Sequence, residues 1–500
     1  MRMTKYAMAA AIAAITWGNG VYGQQPGYSG QGAYQASAAS RQISYEYDGD
    51  GSNRAQYSLA SASNMKADEA GPTCAAAPGC AAPATNGGNN DCCSNPLICW
   101  PCGCKLADMG EPNKWFDGCF FKSRDIVAGG YLAQSYVWNP YVPHDRFNGP
   151  VTWTDRANEY QMNELYGFIG KAAKTDGCGW DYGYSVVGLY GTNYRWDTSG
   201  GFETNFNNGA FYGLAVPQAY GEIMYNNIST KVGRFISPVG YYTVGTANNF
   251  FPVIPYTYQW GEPFTHTGFL TTWKKSDKLT LGAGMTHGWD NTDNTGNPHA
   301  GAIATATWTI DEKRSLAWVA VYGDEPNQSG AGLYAYNNTG YTNRYFQTLV
   351  YTKKISDDIM WVLQSDFGQQ ASAVVANQPA RWYGINTYLY WNMTCQTQWG
   401  INGEWFRDEG GFRVGNAVPS FGSPNARGLP RAGFDGSFYR ITFGPKHYFT
   451  PNLYGRAAFL FDWYDGKAGR TNPGPSGPLP FDDGSKRYQQ IGVFDLVYTF

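Results

Sequence analysis

From about residue 126 onward the chain repeats one pattern, which restricts its fold more than any other feature. About ten residues alternate apolar with small or polar side chains, a very short polar break follows, and a second such run leads into a long Asn/Gly/Pro-rich stretch. Successive side chains of a strand point to opposite faces, so each run predicts a strand and each closely spaced pair a hairpin. Clear copies are "TTWKKSDKLTLGAGMTHGW", "TLVYTKKISDDIMWVLQSDFG" and "FGPKHYFTPNLYGRAAFLFDW". Short turns at one end and long loops at the other are typical of outer-membrane barrels.

Counting these runs predicts an all-β, transmembrane antiparallel β-barrel of 16 strands, with 14 or 18 remaining open. An even number of strands places both chain ends on the short-turn, periplasmic side. The long stretches 290–300, 323–342, 407–434 and 465–486 would then share the opposite end. The predicted strand centres lie near residues 132, 167, 186, 222, 233, 270, 284, 305, 319, 348, 363, 386, 401, 440, 458 and 495.

The chain ends on "IGVFDLVYTF", in which Gly492, Phe494, Leu496, Tyr498 and Phe500 occupy every second position. This stripe predicts a last strand with one apolar face toward lipid. Phe494, Leu496, Tyr498 and Phe500 are the expected signal for the outer-membrane barrel assembly machinery. A secreted β-sandwich or propeller would also alternate, but its strands are usually shorter and it would not explain the aromatic terminus.

The same alternation assigns faces within the other strands. In "LYGRAAFLFDW" it places Phe461 and Trp463 toward lipid and Arg456, Leu460 and Asp462 inside. Charged side chains on the inner face and almost none on the outer face predict a hydrated lumen.

Composition agrees with a membrane barrel that follows an export signal. Charged residues make up 15% of the chain, against roughly 25% in average soluble proteins. The apolar run "AMAAAIAAI" is about half of the ~20 residues that a spanning helix needs. With Arg2 and Lys5 before it, this run predicts a signal peptide over residues 1–23. Its removal leaves 34 basic against 39 acidic residues, a net charge of −5, and nothing indicates a nucleic-acid partner.

Two further segments precede the predicted barrel at 125–500. Residues 24–70, rich in Gln, Ser and Ala, predict a flexible linker, and residues 71–124 hold eight of the ten cysteines. An even number of cysteines in a short exported segment predicts a disulfide-bonded periplasmic region. Zinc binding by "CWPCGC" is the weaker alternative because no His lies nearby, and "CxxCH" is absent, so neither a metal nor another cofactor is expected. The eight residues are Cys74, Cys80, Cys92, Cys93, Cys99, Cys102, Cys104 and Cys119.

The remaining two cysteines, Cys178 and Cys395, fall in or beside predicted periplasmic turns. A sixteen-strand barrel is about 30 Å across, whereas a disulfide needs Cα atoms within about 7 Å. These two residues therefore cannot pair with each other. Either one or both bond to the N-terminal cysteines and tie that segment across the periplasmic mouth, or both stay unpaired.

Three segments resemble a known family in combination: "AYGEIMYNNISTKVGRFISPVGYYTVGTANNFF", "GEPFTHTG" and the adjoining "FLTTWKKSDKLTLGAGMTHGW". On them, residues 125–500 resemble the outer-membrane family described as putative β-barrel porin-2, or OmpL-like. The resemblance implies an outer-membrane pore. It does not imply a particular solute, and residues 24–124 lie outside it.

The stretch 238–263 is the third long loop by this count. In the general diffusion porins, which a barrel of this strand number would resemble, the third loop folds inward as a constriction. This loop is rich in Pro and aromatic residues and has one charge, Glu262. It either packs against the inner wall, forming an eyelet of Tyr, Asn and Gln suited to neutral solutes, or caps the barrel rim.

Inward-facing charges would set ion preference through rings of side chains. Five acidic and three basic strand residues predict at most a weak preference for cations, unless they are hydrogen-bonded across the wall. With Glu262, the pore-lining candidates are Glu164, Glu222, Arg344, Asp366, Glu404, Arg440, Arg456 and Asp462.

The sequence thus predicts a porin for passive diffusion of small hydrophilic solutes, neutral or weakly cation-preferring, in the outer membrane of a Gram-negative-type bacterium. Outer-membrane lipids are expected partners, and a homotrimer is the expected assembly. The alternative is a structural envelope protein in which the barrel is an anchor and the cysteine-rich segment forms crosslinks. The five histidines suggest no Ser/His pair at the membrane face, so an enzyme is not expected.

Overall fold

The computed structural model describes residues 112–500 apart from 145, 176, 208–209, 294–296, 327–339, 376–377, 395, 415–432 and 468–478. These residues form one closed antiparallel barrel of 16 strands, in which each strand pairs with its sequence neighbours. The strands are β1 (Val127–Trp138), β2 (Tyr160–Lys171), β3 (Trp180–Gly191), β4 (Gly213–Tyr225), β5 (Ile228–Ile236), β6 (Thr265–Ser276), β7 (Leu279–Thr286), β8 (Gly301–Asp311), β9 (Arg314–Pro326), β10 (Tyr341–Lys354), β11 (Ile359–Val375), β12 (Gln378–Asn392), β13 (Thr397–Glu409), β14 (Gly436–Thr450), β15 (Leu453–Gly466) and β16 (Tyr488–Thr499).

The predicted strand number is confirmed, and each predicted centre lies inside the corresponding strand. Short turns join β2 to β3, β4 to β5 and so on along one rim, while the connections between β1 and β2, β3 and β4 and so on lie at the other rim. The connections of this second rim are the longer ones, except between β11 and β12, where only residues 376–377 intervene. The third loop of the long-loop rim is residues 237–264, called L3 below. The other loops used below are L1 (139–159), L4 (287–300) and L7 (410–435).

The barrel closes where the first and last strands pair. Tyr131 of β1 lies opposite Thr499 of β16, and Trp138 lies opposite Gly492. Both ends of the barrel therefore meet on the short-turn rim. Three short α-helices are present in the described structure: α1 (Cys119–Lys122) before the barrel, and α2 (Tyr194–Asp197) and α3 (Phe202–Asn207) between β3 and β4. L3 itself contains a 3-10 turn (Thr246–Asn248) and a π-helical turn (Thr257–Gly261). Within the described ranges, no helix is long and apolar enough to span a membrane.

The two faces of the strands follow the predicted alternation. Phe494 and Leu496 of β16 are each 43% exposed, whereas the intervening Asp495 is 8% exposed. In β15, Phe461 and Trp463 are exposed on the outer face, and Leu460 and Asp462 are buried. The hydrophobic belt required by lipid thus lies outside.

The inner face is less polar than the sequence predicted. Besides the charged residues it presents Val187, Val319, Val350, Leu460 and Val497, all buried. These side chains belong to a core that also includes L3 residues. The apolar inner positions are explained by that loop, because an apolar loop inside a barrel needs an apolar wall to pack against.

Candidate functional site

L3 crosses the interior and is held at three places, the first of them on the wall formed by β15, β1 and β2. Arg456 of β15 donates hydrogen bonds to the backbone oxygens of Thr246 and Asn249, at 2.8 and 2.7 Å. Glu164 of β2 accepts a hydrogen bond of 2.9 Å from the Thr246 backbone N–H. Arg456 is in turn paired with Asp495 of β16 through its Nε, at 3.0 Å. One end of the loop's short 3-10 turn is thereby fixed to charged groups of the wall.

The second attachment lies on β13 and β14. Glu404 accepts hydrogen bonds from the backbone N–H groups of Tyr256 and Thr257, at 2.8 and 2.7 Å. Arg440 donates to the Ile254 oxygen at 2.7 Å and pairs with Asp462 of β15. A carboxylate and a guanidinium on neighbouring strands thus bind successive backbone groups of the same loop.

The third attachment joins both ends of L3 to β11. The Gln364 side chain accepts from the Tyr241 backbone N–H at 2.8 Å, and its amide donates to Glu262 at 2.6 Å. The same amide donates to Asp366 at 2.8 Å. Gly240, with φ of 76°, lies against the Glu262 carboxylate in a place where a Cβ would not fit. One glutamine therefore ties the beginning and the end of the loop to the wall.

Aromatic packing fills the space between these attachments. Tyr242 stacks on Tyr388 with ring centroids 5.6 Å apart, and Phe250 packs on Tyr390 at 4.7 Å. Tyr256 stacks on Phe438 at 4.9 Å. L3 therefore narrows the lumen by lying along its wall, as one of the two readings of its sequence predicted, and it does not merely cap the rim.

On the long-loop side of L3, two guanidinium groups share one pair of indole rings. Arg344 of β10 lies 4.6 Å from the Trp289 ring centre, and Arg413 of L7 lies 5.0 Å from that of Trp382. Arg413 also donates to the Trp260 oxygen of L3 at 2.5 Å. Burial, and then the charge of Arg344, lower the pKa of Arg413 to about 9. Arg413 of L7 thus contacts Trp289 of L4 through a cation–π interaction and L3 through a hydrogen bond.

All nine predicted pore-lining residues lie inside the barrel, and all are buried. Glu164, Glu404, Arg440 and Arg456 contact L3 directly. Asp366 and Asp462 reach it through Gln364 and Arg440. The remaining pair is separate from the loop: Arg344 donates to Gln370 at 2.8 Å, and Glu222 accepts from Ser229. The wall charges are therefore engaged in hydrogen bonds, the alternative that the sequence had left open.

The sequence reasoning missed three residues of this site: Gln364, Asn386 and Asp495. Asn386 of β12 donates to the Thr257 hydroxyl of L3. Gln364 and Asp495 face inward by the same two-residue alternation that identified Asp366 and Arg456. Selecting charged residues passed over the amides, although an amide can donate and accept at once and so can bridge two groups.

Two of the ten cysteines, Cys119 and Cys178, lie among the described residues. Cys119 is disulfide-bonded, and its partner is not among the described residues. Cys178 is a free, exposed thiol on the turn between β2 and β3, so a disulfide from this residue to the N-terminal cysteines is not formed. Cys395 and the remaining seven cysteines lie outside the described residues. Among the residues that are described, no three His, Cys, Asp or Glu side chains are grouped as a metal site would need.

Comparison with solved structures finds barrels of similar extent. The outer-membrane channel DcaP of Acinetobacter baumannii matches with a TM-score of 0.47 and 10% identity, over 78% of this chain and 100% of its own. OprB of Pseudomonas putida matches with a TM-score of 0.48 and 10% identity, over 78% and 100%. An anion-selective porin of Comamonas acidovorans gives 0.45 and 9%, over 75% and 99%. No curated protein sequence matches the chain.

A closed, sixteen-stranded barrel with a lipid-facing apolar belt and an inserted third loop defines a porin-type channel of the outer membrane. The family model described as putative beta-barrel porin-2, OmpL-like, matches residues 125–500, and the chain belongs to that family. The protein is accordingly an outer-membrane porin that allows passive diffusion of small hydrophilic solutes.

Proposed function

We propose that L3 sets the size limit of this porin and that solutes pass beside it in a narrow path. The observation that carries this proposal is the attachment of L3 on both sides of the pairing between β1 and β16, at Glu164 of β2 and at Glu404 of β13. Because charged side chains hold the loop by its backbone and its aromatic side chains pack on the inner wall, the loop keeps its place in the lumen.

The solute class that fits best is small, polar and neutral, with at most a weak preference for cations. In support of this, Arg440 and Arg456 are each compensated by an aspartate, and Glu404 and Glu164 by loop N–H groups. Charges that are compensated this closely produce little net electrostatic field in the lumen, so they discriminate only weakly between cations and anions. Tyr241 of L3, which is only half-buried, is the tyrosine placed to offer an aromatic face to sugars, whereas Tyr242, Tyr256 and Tyr258 are buried.

Conductance in planar bilayers and liposome swelling with a sugar series test both proposals. We expect small stepwise openings, a reversal potential near zero in a salt gradient, and swelling rates that fall steeply from pentoses to disaccharides. Disaccharides entering as fast as pentoses would contradict a size limit set by L3. A membrane that shows no current steps would favour the alternative of a structural envelope protein. The near-complete burial of the inner charges is the observation in favour of that alternative.

We also propose a homotrimer, inserted by the barrel assembly machinery that reads the last strand. Phe494 and Leu496 of that strand are exposed on the outer face, as a recognised signal must be. Gel mobility of unheated samples tests the assembly: a species of three chains that heat converts to the monomer is expected, and a monomer at both temperatures would contradict it.

Enzymatic activity is not proposed, because the barrel, its inserted loop and its family all belong to a diffusion channel. The residues 71–124 remain proposed as a disulfide-bonded periplasmic region, in line with the bonded state of Cys119. The signal peptide over 1–23 and the linker over 24–70 also stay predictions, since both lie outside the described residues.

A further inference from the structure

The segment that precedes β1 lies against the outside of the barrel rim. The ring of Phe500 covers Gly130 of β1, so that a Cβ on that glycine would lie 2.8 Å from the ring. Gly130 is paired with Gly167 of β2, which faces outward between the exposed Leu165 and Ile169. The Phe500 ring therefore lies on the lipid-facing side of the seam between β1 and β16.

Trp115 continues this outer surface. Its ring stacks on that of Phe500, with centroids 4.1 Å apart and an angle of 22° between the ring planes. Asn113 fixes the same segment to the turn between β14 and β15: its N–H donates to the Asn452 side chain at 2.6 Å, and the Asn452 amide donates to the Asn113 oxygen at 2.9 Å. The segment is thus attached at the periplasmic rim by stacking and by two hydrogen bonds.

Most of the aromatic surface in this segment is not covered by protein. Trp115, Phe116 and Phe120 are 58%, 40% and 59% exposed. Exposed aromatic residues in a row mark a surface that contacts another apolar phase. Trp115 adjoins Phe500, and hence the belt by which the barrel contacts lipid, while the rings of Phe116 and Phe120 pack against Phe121.

The charges of the segment are predominantly basic. Within residues 113–124, Lys114, Lys122 and Arg124 stand against the single acidic residue Asp117. Lys122 pairs with Asp117 at 2.8 Å, which leaves the segment with a net positive charge. Arg124 lies 4.4 Å from the centre of the Phe120 ring. Basic side chains beside exposed aromatic rings suit the boundary between acyl chains and anionic headgroups.

We propose that residues 113–124 form an interfacial anchor that binds phospholipids of the periplasmic leaflet beside the seam between β1 and β16. The aromatic rings enter the headgroup region, and the basic side chains contact the phosphates. Because Cys119 lies between Phe116 and Phe120, its disulfide is held at the membrane surface.

Photo-crosslinking on the full-length protein tests this anchor. The photoreactive residue p-benzoylphenylalanine is placed at position 120, and the protein is reconstituted in vesicles of phosphatidylethanolamine and phosphatidylglycerol. Position 399, where Trp399 is exposed in the lipid-facing belt, is the positive control, and position 175 in a periplasmic turn is the negative control. We expect lipid adducts at 120 comparable to those at 399, and few at 175.

Two outcomes would overturn the proposal. Lipid labelling at position 120 no higher than at 175 would show that the segment does not reach the leaflet. Adducts at position 120 with protein in place of lipid would show that the aromatic surface serves a polypeptide. Both outcomes are read on a chain whose barrel has folded, which the gel mobility of an unheated sample of each variant shows.

A paired substitution provides a second, independent readout. Phe116→Ser with Phe120→Ser removes apolar surface that the protein itself does not cover, so thermal stability in detergent should change little. In the vesicles, blue-shifted emission and lipid quenching of Trp115, measured against Trp115→Phe to isolate its signal from the other tryptophans, should decrease. Unchanged quenching in the paired variant would contradict the anchor.

Discussion

At the scale of single residues, the interior depends on side chains that each satisfy a backbone group of L3. Arg456 is the clearest case, since its guanidinium bonds two loop oxygens and is paired with Asp495. Removing one member of a buried ion pair leaves the other charge uncompensated, at a cost of roughly 3–5 kcal/mol. A test of this residue should therefore neutralise both partners.

The double variant Arg456→Gln with Asp495→Asn is expected to loosen the Thr246 end of L3 and to raise single-channel conductance and current noise. The reason is the loss of two charged hydrogen bonds to the loop, each worth about 1.5–3 kcal/mol. Bilayer recordings measure the effect. Arg381→Gln, which alters an exposed arginine on the outer surface, is the control and should leave the conductance unchanged. If the double variant and the Arg381→Gln control had the same conductance, the proposed role of Arg456 in holding L3 would be contradicted.

Gly130 and Gly167 form a matched pair for a second residue-scale prediction. A Cβ at Gly130 would meet the Tyr166 backbone oxygen of β2 as well as the Phe500 ring, whereas a Cβ at Gly167 would have no atom within 4 Å. Gly130→Ala should therefore strain the pairing of β1 with β2, displace Phe500 and destabilise the seam by about 1–3 kcal/mol, the usual cost of overpacking. Gly167→Ala should be neutral. The temperature at which the folded band disappears on gels measures the stability of each variant. Equal temperatures for Gly130→Ala and Gly167→Ala would contradict close packing of Phe500 on Gly130.

At the scale of elements, the strands and L3 differ in how far their structure could be predicted. Each strand has a two-residue alternation that depends only on its own residues and on which face meets lipid. L3 has no such period. Its Pro and aromatic content indicated that it would pack somewhere, but its path depends on partners as distant as Arg456, which is 210 positions from Thr246.

Shortening L3 tests its role as an element. Replacing residues 244–251 by Gly-Gly removes the part that lies against β1, β2 and β15, while the Tyr256 and Glu262 attachments stay in place. We expect a several-fold larger conductance and faster entry of disaccharides, because the loop then covers less of the lumen. A barrel that folds with unchanged conductance and sugar exclusion would show that another element forms the constriction.

At the scale of the whole molecule, the closed barrel and the segment before it meet at the seam between β1 and β16. Trp115 stacks on Phe500, which follows β16, and Asn113 bonds Asn452 in the turn between β14 and β15. The N-terminal region is therefore attached to the rim by residues 113–115, independently of Cys178, which is free.

Thiol labelling of the native protein follows from this arrangement. Cys178, exposed and unpaired, should react with a maleimide in intact, non-reduced protein, whereas Cys119 should react only after reduction. Mass spectrometry of labelled peptides distinguishes the two. Cys178 recovered in a disulfide-linked peptide would restore the hypothesis that the N-terminal cysteines are tied to the turns of the barrel.

The alternation of side chains was enough to predict the barrel, with sixteen strands favoured over 14 or 18, the side of the long loops, the face of Phe494 and that of Asp462. These follow from a short-range rule, the alternation of side chains between lipid and interior, which needs no knowledge of distant residues. The three-dimensional fold was needed to show that L3 lies inside, that Gln364 joins its two ends, and that Arg440 and Arg456 bind the loop. Those outcomes depend on which side chains a closed barrel brings face to face across its interior, and no local pattern encodes that.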